Sequence, residues 1–259
     1  MNVLEIEQLR KNLPHLKLDI ATMTVAEGEF AILLGRLKSG KATLLKLILN
    51  MLFPDFGTIC VFGLDSKQNS EAIKQQLGLV LRRPGLLDSA KLSRLKNMIR
   101  PFYSNWQEKT YRTYLRLFEL DENLSYGYLD NAAKKQFTLT LALAHQPRLL
   151  LLEEPFLHFS AEIKECVAKT LWQEQQKNGL SILFTTSSPE EAASLANTIH
   201  IMHNGSLLLS LPVAQLPDYS ASLNWQELKR HSTEKKPAQK ISQIQALFNH
   251  YTQAEEEKV

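Results

Sequence analysis

Nine residues, Gly35-Arg36-Leu37-Lys38-Ser39-Gly40-Lys41-Ala42-Thr43, follow a short apolar run and open a stretch of helical pattern. A glycine-containing loop between a strand and a helix aims backbone N–H groups at phosphate. Lys41 stands where an ammonium would reach the terminal phosphates. The pattern then asks for a hydroxyl at 42 to hold Mg²⁺, and Ala42 has none. Thr43 comes one residue late and, on a helix, points about 100° away. Taken alone, the loop also fits a plain strand-to-helix turn with a solvated lysine.

The second chemical element is Leu149-Leu150-Leu151-Leu152-Glu153-Glu154-Pro155, an apolar strand ending in two carboxylates. A parallel strand delivers such residues to the rim where ligands bind. Glu153 is a candidate Mg²⁺ ligand, directly or through water. Glu154 is a candidate general base that would orient or deprotonate a water for attack on a γ-phosphate. Acids at a solvated strand end are the competing reading, since they need no function.

Several elements must position these groups. Leu4 to Leu9 alternates apolar and polar residues and predicts a half-buried strand; Leu16 to Val25 predicts a second. Phe30 to Leu34 predicts a central strand and Lys41 to Leu52 a helix. Strands are expected over Thr58 to Phe62, Leu77 to Leu81, Leu149 to Leu152 and Leu180 to Thr185. Leu86 to Leu143 carries few β-branched residues and predicts a mostly helical insertion. Ser160 to Lys177 predicts an amphipathic helix stopped at Asn178-Gly179. Ser188-Pro189-Glu190-Glu191 predicts a helix start with a capping box closed by Glu191. Asn204-Gly205 predicts a hairpin between Thr198 to His203 and Ser206 to Leu211. Strands alternating with helices imply a largely parallel sheet wrapped by helices. Ile241, Ile244, Leu247, Phe248 and Tyr251 share one helical face of a more polar tail, a stripe expected to dock on the chain's own core.

The 259 residues suit one α/β domain with a smaller subdomain. With 44% hydrophobic and 22% charged residues, the chain is expected to be globular. A formal net charge of +3 argues against nucleic acid as a partner. Cys60 and Cys166 read as reduced thiols of a cytoplasmic protein. No apolar run has the length of a membrane span, and the first residues lack a signal-peptide pattern. The seven histidines show no metal-ligand spacing. The basic stretch Arg230 to Lys240, with Lys235, Lys236 and Lys240, reads as a solvated linker.

In order and spacing the chain resembles the ATP-binding subunits of ABC transporters, especially single-domain bacterial export types. The likeness is collinear from about Leu4 to Leu211. It runs through the glycine-lysine loop, Leu77-Gly78-Leu79-Val80, Phe102-Tyr103-Ser104-Asn105-Trp106, Leu141 to Pro147, the Leu149 to Pro155 strand and Thr185 to Ala192. The resemblance implies a P-loop NTPase of α/β class. Its ABC-type core would span residues 1–211, with an antiparallel β subdomain and a helical subdomain at about 85–145. A partly helical extension would occupy 212–259. It also implies ATP and Mg²⁺ as cofactors, and a homo- or heterodimer that sandwiches ATP between one subunit's loop and the other's signature. A membrane-spanning permease subunit would hold the chain at the cytoplasmic face of a membrane.

Several positions depart from the family pattern. A glutamine expected in the loop after Val80 is Arg82. The signature falls on Leu129, Asp130, Asn131, Ala132 and Ala133, with a carboxylate at Asp130 in place of a hydroxyl. The switch histidine falls on Ser187, and the acid expected after Glu154 falls on Ser160. The adenine-stacking aromatic is missing near Asn12, with His15 the nearest flat side chain. Two unit charges at 4 Å interact by about 4 kcal/mol at an effective dielectric near 20, so Asp130 beside a γ-phosphate would oppose closure. These departures lead to an expectation of impaired hydrolysis and weakened nucleotide and metal binding. Two alternatives stay open: an active ATPase with a divergent site, and a scaffold that no longer uses nucleotide.

Overall fold

The computed structural model describes residues 1–215 and 237–253. Residues 230–236 of the expected linker, with Lys235 and Lys236, and the side chain of Tyr251 fall outside them, whereas Lys240 lies in the helix Pro237–Gln253 and not in a linker. The strands are β1 (Asn2–Leu13), β2 (Leu16–Ala26), β3 (Phe30–Gly35), β4 (Phe56–Val61), β5 (Leu64–Asp65), β6 (Leu77–Val80), β7 (Leu149–Glu153), β8 (Ser181–Thr186), β9 (Thr198–His203) and β10 (Ser206–Pro212). They form one ten-stranded sheet in the order β5-β4-β1-β2-β10-β9-β3-β8-β7-β6. The half from β9 through β3, β8 and β7 to β6 is parallel. The half made by β5, β4, β1 and β2 is antiparallel. The seam is β10, antiparallel to β9 and joined to β2 where Ser206 faces Asp19.

The residue pattern explains the two halves. Every residue of β3 is buried, as a parallel strand covered on both faces requires. β2 instead alternates buried and exposed positions through its middle, because one of its faces meets solvent. On β3, Phe30, Ile32 and Leu34 enter one core while Ala31 and Leu33 enter the other. On β7, Leu150 and Leu152 join the first and Leu149 and Leu151 the second. A continuous apolar strand thus stitches two cores together by its period of two.

The helices are α1 (Lys41–Ile48), α2 (Ser70–Gln75), α3 (Leu92–Ile99), α4 (Glu108–Leu117), α5 (Asn131–Ala144), α6 (Ala161–Asn178), α7 (Pro189–Leu195) and α8 (Pro237–Gln253). Helix α1 ends four residues before the expected Leu52. Asn50 turns left-handed at φ 55° and the Met51 N–H returns to the Lys46 carbonyl at 2.9 Å, which closes the helix. Helices α3, α4 and α5 enclose a small core of their own, with Leu92, Leu95, Tyr111, Tyr126 and Phe137 at its centre. The stripe on α8 packs against α7 and β9, placing Ile244, Leu247 and Phe248 in the first sheet core.

Candidate functional site

The loop after β3 is shaped by close approach. A side chain at Gly35 would put its Cβ 2.5 Å from the Met202 carbonyl of β9, so the loop leaves the sheet only with glycine there. Gly40, at φ 110°, then starts α1 without any side-chain cap. Asp130, Ser160 and Ser188 cap α5, α6 and α7, whereas α2, α3 and α4, like α1, have no side-chain cap. The first-turn N–H groups of α1 are therefore left for another acceptor, with the positive end of the helix dipole behind them.

Lys41 is buried and folds back onto its own loop. Its Nζ donates to the Gly35 carbonyl at 2.5 Å and to the Arg36 carbonyl at 3.0 Å. It lies 3.8 Å from Glu154 Oε1. Burial lowers the Lys41 amine below its usual range, and the nearby Glu154 opposes that shift. Burial pushes the Glu154 carboxyl up, against the pull of Lys41. The two groups are thus balanced against each other, and a further charge entering the cleft would disturb both.

Parallel register brings the acids to this point. Glu153 pairs with Thr185 of β8, and the Glu154 N–H donates to the Thr185 carbonyl at 3.0 Å. Glu154 itself holds φ 46°, a left-handed backbone that is costly for a residue with a β-carbon. Glu153 accepts the Arg82 N–H at 3.2 Å. A cleft of about 270 Å³ opens among the Leu37–Thr43 segment, Arg82, the acid pair and Thr185. His15 lines its edge from the β1–β2 turn. The hydroxyls of Ser39 and Thr185 are buried with no partner. Buried polar atoms are normally paired, so these two hydroxyls are free to bond a ligand that enters the cleft.

The remaining sequence candidates lie differently. Leu37 is exposed at the loop tip. Asp130, Asn131, Ala132 and Ala133 sit at the start of α5 and do not line the cleft. The Asp130 carboxylate is committed to its own helix, accepting the Ala133 N–H at 2.7 Å. Ser187 is exposed at the β8–α7 turn, where its backbone N–H bonds the Glu154 carboxylate. The capping box expected at Ser188 is only half formed. Ser188 Oγ accepts the Glu191 N–H at 3.3 Å, but the Glu191 carboxylate accepts from the Thr186 hydroxyl at 2.6 Å and from Lys164 at 2.8 Å. Thr186 also takes the Ser188 N–H at 3.0 Å, leaving no donor for the reciprocal bond.

Lys135 was missed in the sequence. Only 3% exposed, it donates to the carbonyls of Glu154 and Leu157 at 2.6 Å and 3.0 Å. Its signal was its spacing with the apolar Ala132, Leu139 and Ala142, a lysine set on the inner stripe of a helix.

Residues 18–157 match the family model described as ABC transporter. This chain belongs to the ABC transporter family. It is 28% identical over 217 residues to the ABC transporter ATP-binding protein YtrB of Bacillus subtilis, an alignment covering 83% of this chain and 74% of that one. It is 30% identical to the sulfate/thiosulfate import ATP-binding protein CysA of Caulobacter vibrioides, covering 71% of this chain but only 56% of that longer protein. A solved ATP-binding subunit of an ABC transporter shares the fold at a TM-score of 0.80 and 20% identity, over 95% of this chain and 99% of its own. The P-loop NTPase class of the ABC fold is thus established, and ATP is the ligand the family domain binds, ordinarily with Mg²⁺. Among the described residues, no helix is long and apolar enough to cross a membrane.

The ABC transporter cleft fits the two cofactors unequally. Uncapped amides, Lys41 and the unpartnered hydroxyls suit phosphate oxygens. A divalent ion finds less. Ala42 offers no side-chain oxygen, Glu153 spends one of its two oxygens on the Arg82 amide, and Glu154 faces Lys41. Among the described residues, no group of three or more His, Cys, Asp and Glu side chains is arranged to hold a metal.

Proposed function

We propose that this chain is an ATP-binding subunit of an ABC transporter complex that hydrolyses ATP slowly or not at all. It would sit at the cytoplasmic face of a membrane on a permease subunit and pair with itself or with another ATPase subunit. The observation that carries the nucleotide reading is Lys41, 3.8 Å from Glu154 beside the uncapped start of α1. On arrival of a triphosphate, the Lys41 ammonium would exchange the Gly35 and Arg36 carbonyls for phosphate oxygens. The α1 amides would cradle the bridging region, and Glu154 would face the terminal group.

Three features support impaired turnover. Ala42 lacks the hydroxyl that positions a metal. Ser187 provides no imidazole to orient a water. At α5, the Asp130 carboxylate fills the anion seat of its own helix, so a partner's γ-phosphate would meet a negative charge where it needs donors. Loss of several positioning groups together removes the geometry that makes a base at Glu154 useful. Thr43 lining the cleft is the one observation that favours an active site of divergent design.

The test is ATP titration and phosphate release with the full-length chain, alone and co-purified with its permease. Lys41→Ala should weaken ATP binding by about tenfold or more, a loss of roughly 1.4 kcal/mol. Phosphate release should stay at background in wild type and in Glu154→Gln alike. Robust release that Glu154→Gln abolishes would reject impairment. Identical behaviour of wild type and Lys41→Ala at millimolar ATP would reject the nucleotide role.

A further inference from the structure

The poor match between this cleft and a divalent ion has a counterpart at the end of β6. Strand pairing of Val80 with Leu152 sets the next residues of each strand side by side, and Glu153 then anchors the Arg82 backbone through its N–H. Ala42, Arg82 and Glu153 line the 270 Å³ cleft and also an adjoining hollow of about 430 Å³. The short side chain at 42 therefore leaves open room beside Arg82, where a metal-holding hydroxyl would otherwise project.

Arg82 is half-buried, and its charge reaches groups on three other elements. Burial is the main reason that the Lys41 and Lys135 amines are lowered, and Arg82 adds to both shifts. The same guanidinium favours the charged form of Glu154, whose carboxyl burial otherwise raises. Independently of those shifts, Arg82 lines the cleft together with Lys41 and both acids, so its charge acts on the same space as theirs. A guanidinium is permanently charged and presents a rigid fork of donors that matches phosphate oxygens in pairs. A divalent ion at the same place would be repelled by Arg82 and Lys41 and would gain no oxygen from Ala42.

We propose that Arg82 stands in for the divalent cation, so that the chain binds a nucleoside triphosphate in its metal-free form. This rests on the nucleotide reading of the cleft. Lys41 and Arg82 would both take the phosphate charge, and Glu154, 3.8 Å from Lys41, offsets part of that positive charge when the ligand is absent.

The experiment is titration of the full-length chain with ATP, once with excess EDTA and once with excess Mg²⁺, followed by the spin-resonance spectrum of Mn²⁺-ATP with the protein. The two dissociation constants should agree within about threefold, and Arg82→Gln should weaken metal-free binding by about tenfold or more. The double variant Ala42→Ser with Arg82→Gln should bind ATP about tenfold more tightly with Mg²⁺ than without. Mn²⁺ should show no immobilised signal on wild type. Mg²⁺ tightening of wild-type binding by about tenfold, or protein-held Mn²⁺, overturns the proposal and leaves the nucleotide reading standing. No binding under either condition overturns both. Should Arg82→Gln misfold by circular dichroism, the wild-type comparison and the Mn²⁺ spectrum still decide.

Discussion

Lys135→Met exchanges a buried ammonium for an uncharged side chain of similar length. The wild-type Nζ donates to the carbonyls of Glu154 at 2.6 Å, Leu157 at 3.0 Å and, more weakly, Pro155 at 3.4 Å. Those carbonyls belong to the turn in which Glu154 holds its left-handed backbone. The two short bonds are charge-assisted and contribute about 1.5–3 kcal/mol each, so about 3–6 kcal/mol together. Burial works the other way, lowering the amine from 10.5 to about 8. A shift of that size costs the charged form about 3 kcal/mol. The balance leaves Lys135→Met less stable by about 0–3 kcal/mol at pH 7, read as a lower urea midpoint. The sign of the pH dependence follows from the lowered value. In the folded state the amine titrates below its unfolded value, so its contribution is largest above pH 10.5 and is lost as pH falls through about 8. The advantage of wild type over the variant should therefore widen between pH 8 and 10.5, by up to about 3 kcal/mol. Other groups titrate there too, but they cancel between the two proteins. A difference that stays flat or narrows across that window refutes the reasoning, as does a variant clearly more stable than wild type at pH 7.

Asp130→Ala should cost about 1 kcal/mol through loss of the α5 cap, whereas Asp130→Ser should cost only a few tenths, because serine caps as well as aspartate; thermal unfolding of both variants separates the cap from the charge. Leu247→Ala should destabilise by about 2–5 kcal/mol in urea, and a loss below about 1 kcal/mol would mean that α8 does not fold with the sheet. Burial holds the imidazole of His200, bonded through Nδ1 to Ser210 at 2.9 Å, down to about 4. Its contribution is complete above about pH 6.5 and is lost as pH falls through about 4, so wild type should lose up to about 3 kcal/mol relative to His200→Gln across that interval. Equal urea midpoints shifts for the two proteins between pH 7 and 4.5 would contradict this.

Much of the sheet was legible because its signals are local. Four successive leucines before Glu153 can only be a strand covered on both faces, and the alternation in Leu16 to Val25 marks one with a wet side. The glycine-lysine loop, the Ser188 cap and the Gly179 stop depend on residues within a few positions of one another, so their chemistry can be read in order. Difficulty began where a group chooses among partners. Asp130 stands where a signature hydroxyl is expected, and only the structure shows that its carboxylate also caps its own helix through the Ala133 N–H. Glu191 has the spacing for a reciprocal cap, but Thr186 and Lys164 reach its carboxylate first.

What the sequence determined by itself was the main strands and longer helices, their order and the types of side chain at each strand end, since backbone periodicity and capping act over a few residues; the two-residue β5 and six-residue α2 are too short to show a period. Only the tertiary structure decided which of those ends meet. Parallel register carries Glu153 and Glu154 to Thr185, the return of β9 confines Gly35, and α5 drives Lys135 into the carbonyls beside Glu154. These contacts join residues far apart in the chain, and their geometry exists only after the sheet has closed around its two cores.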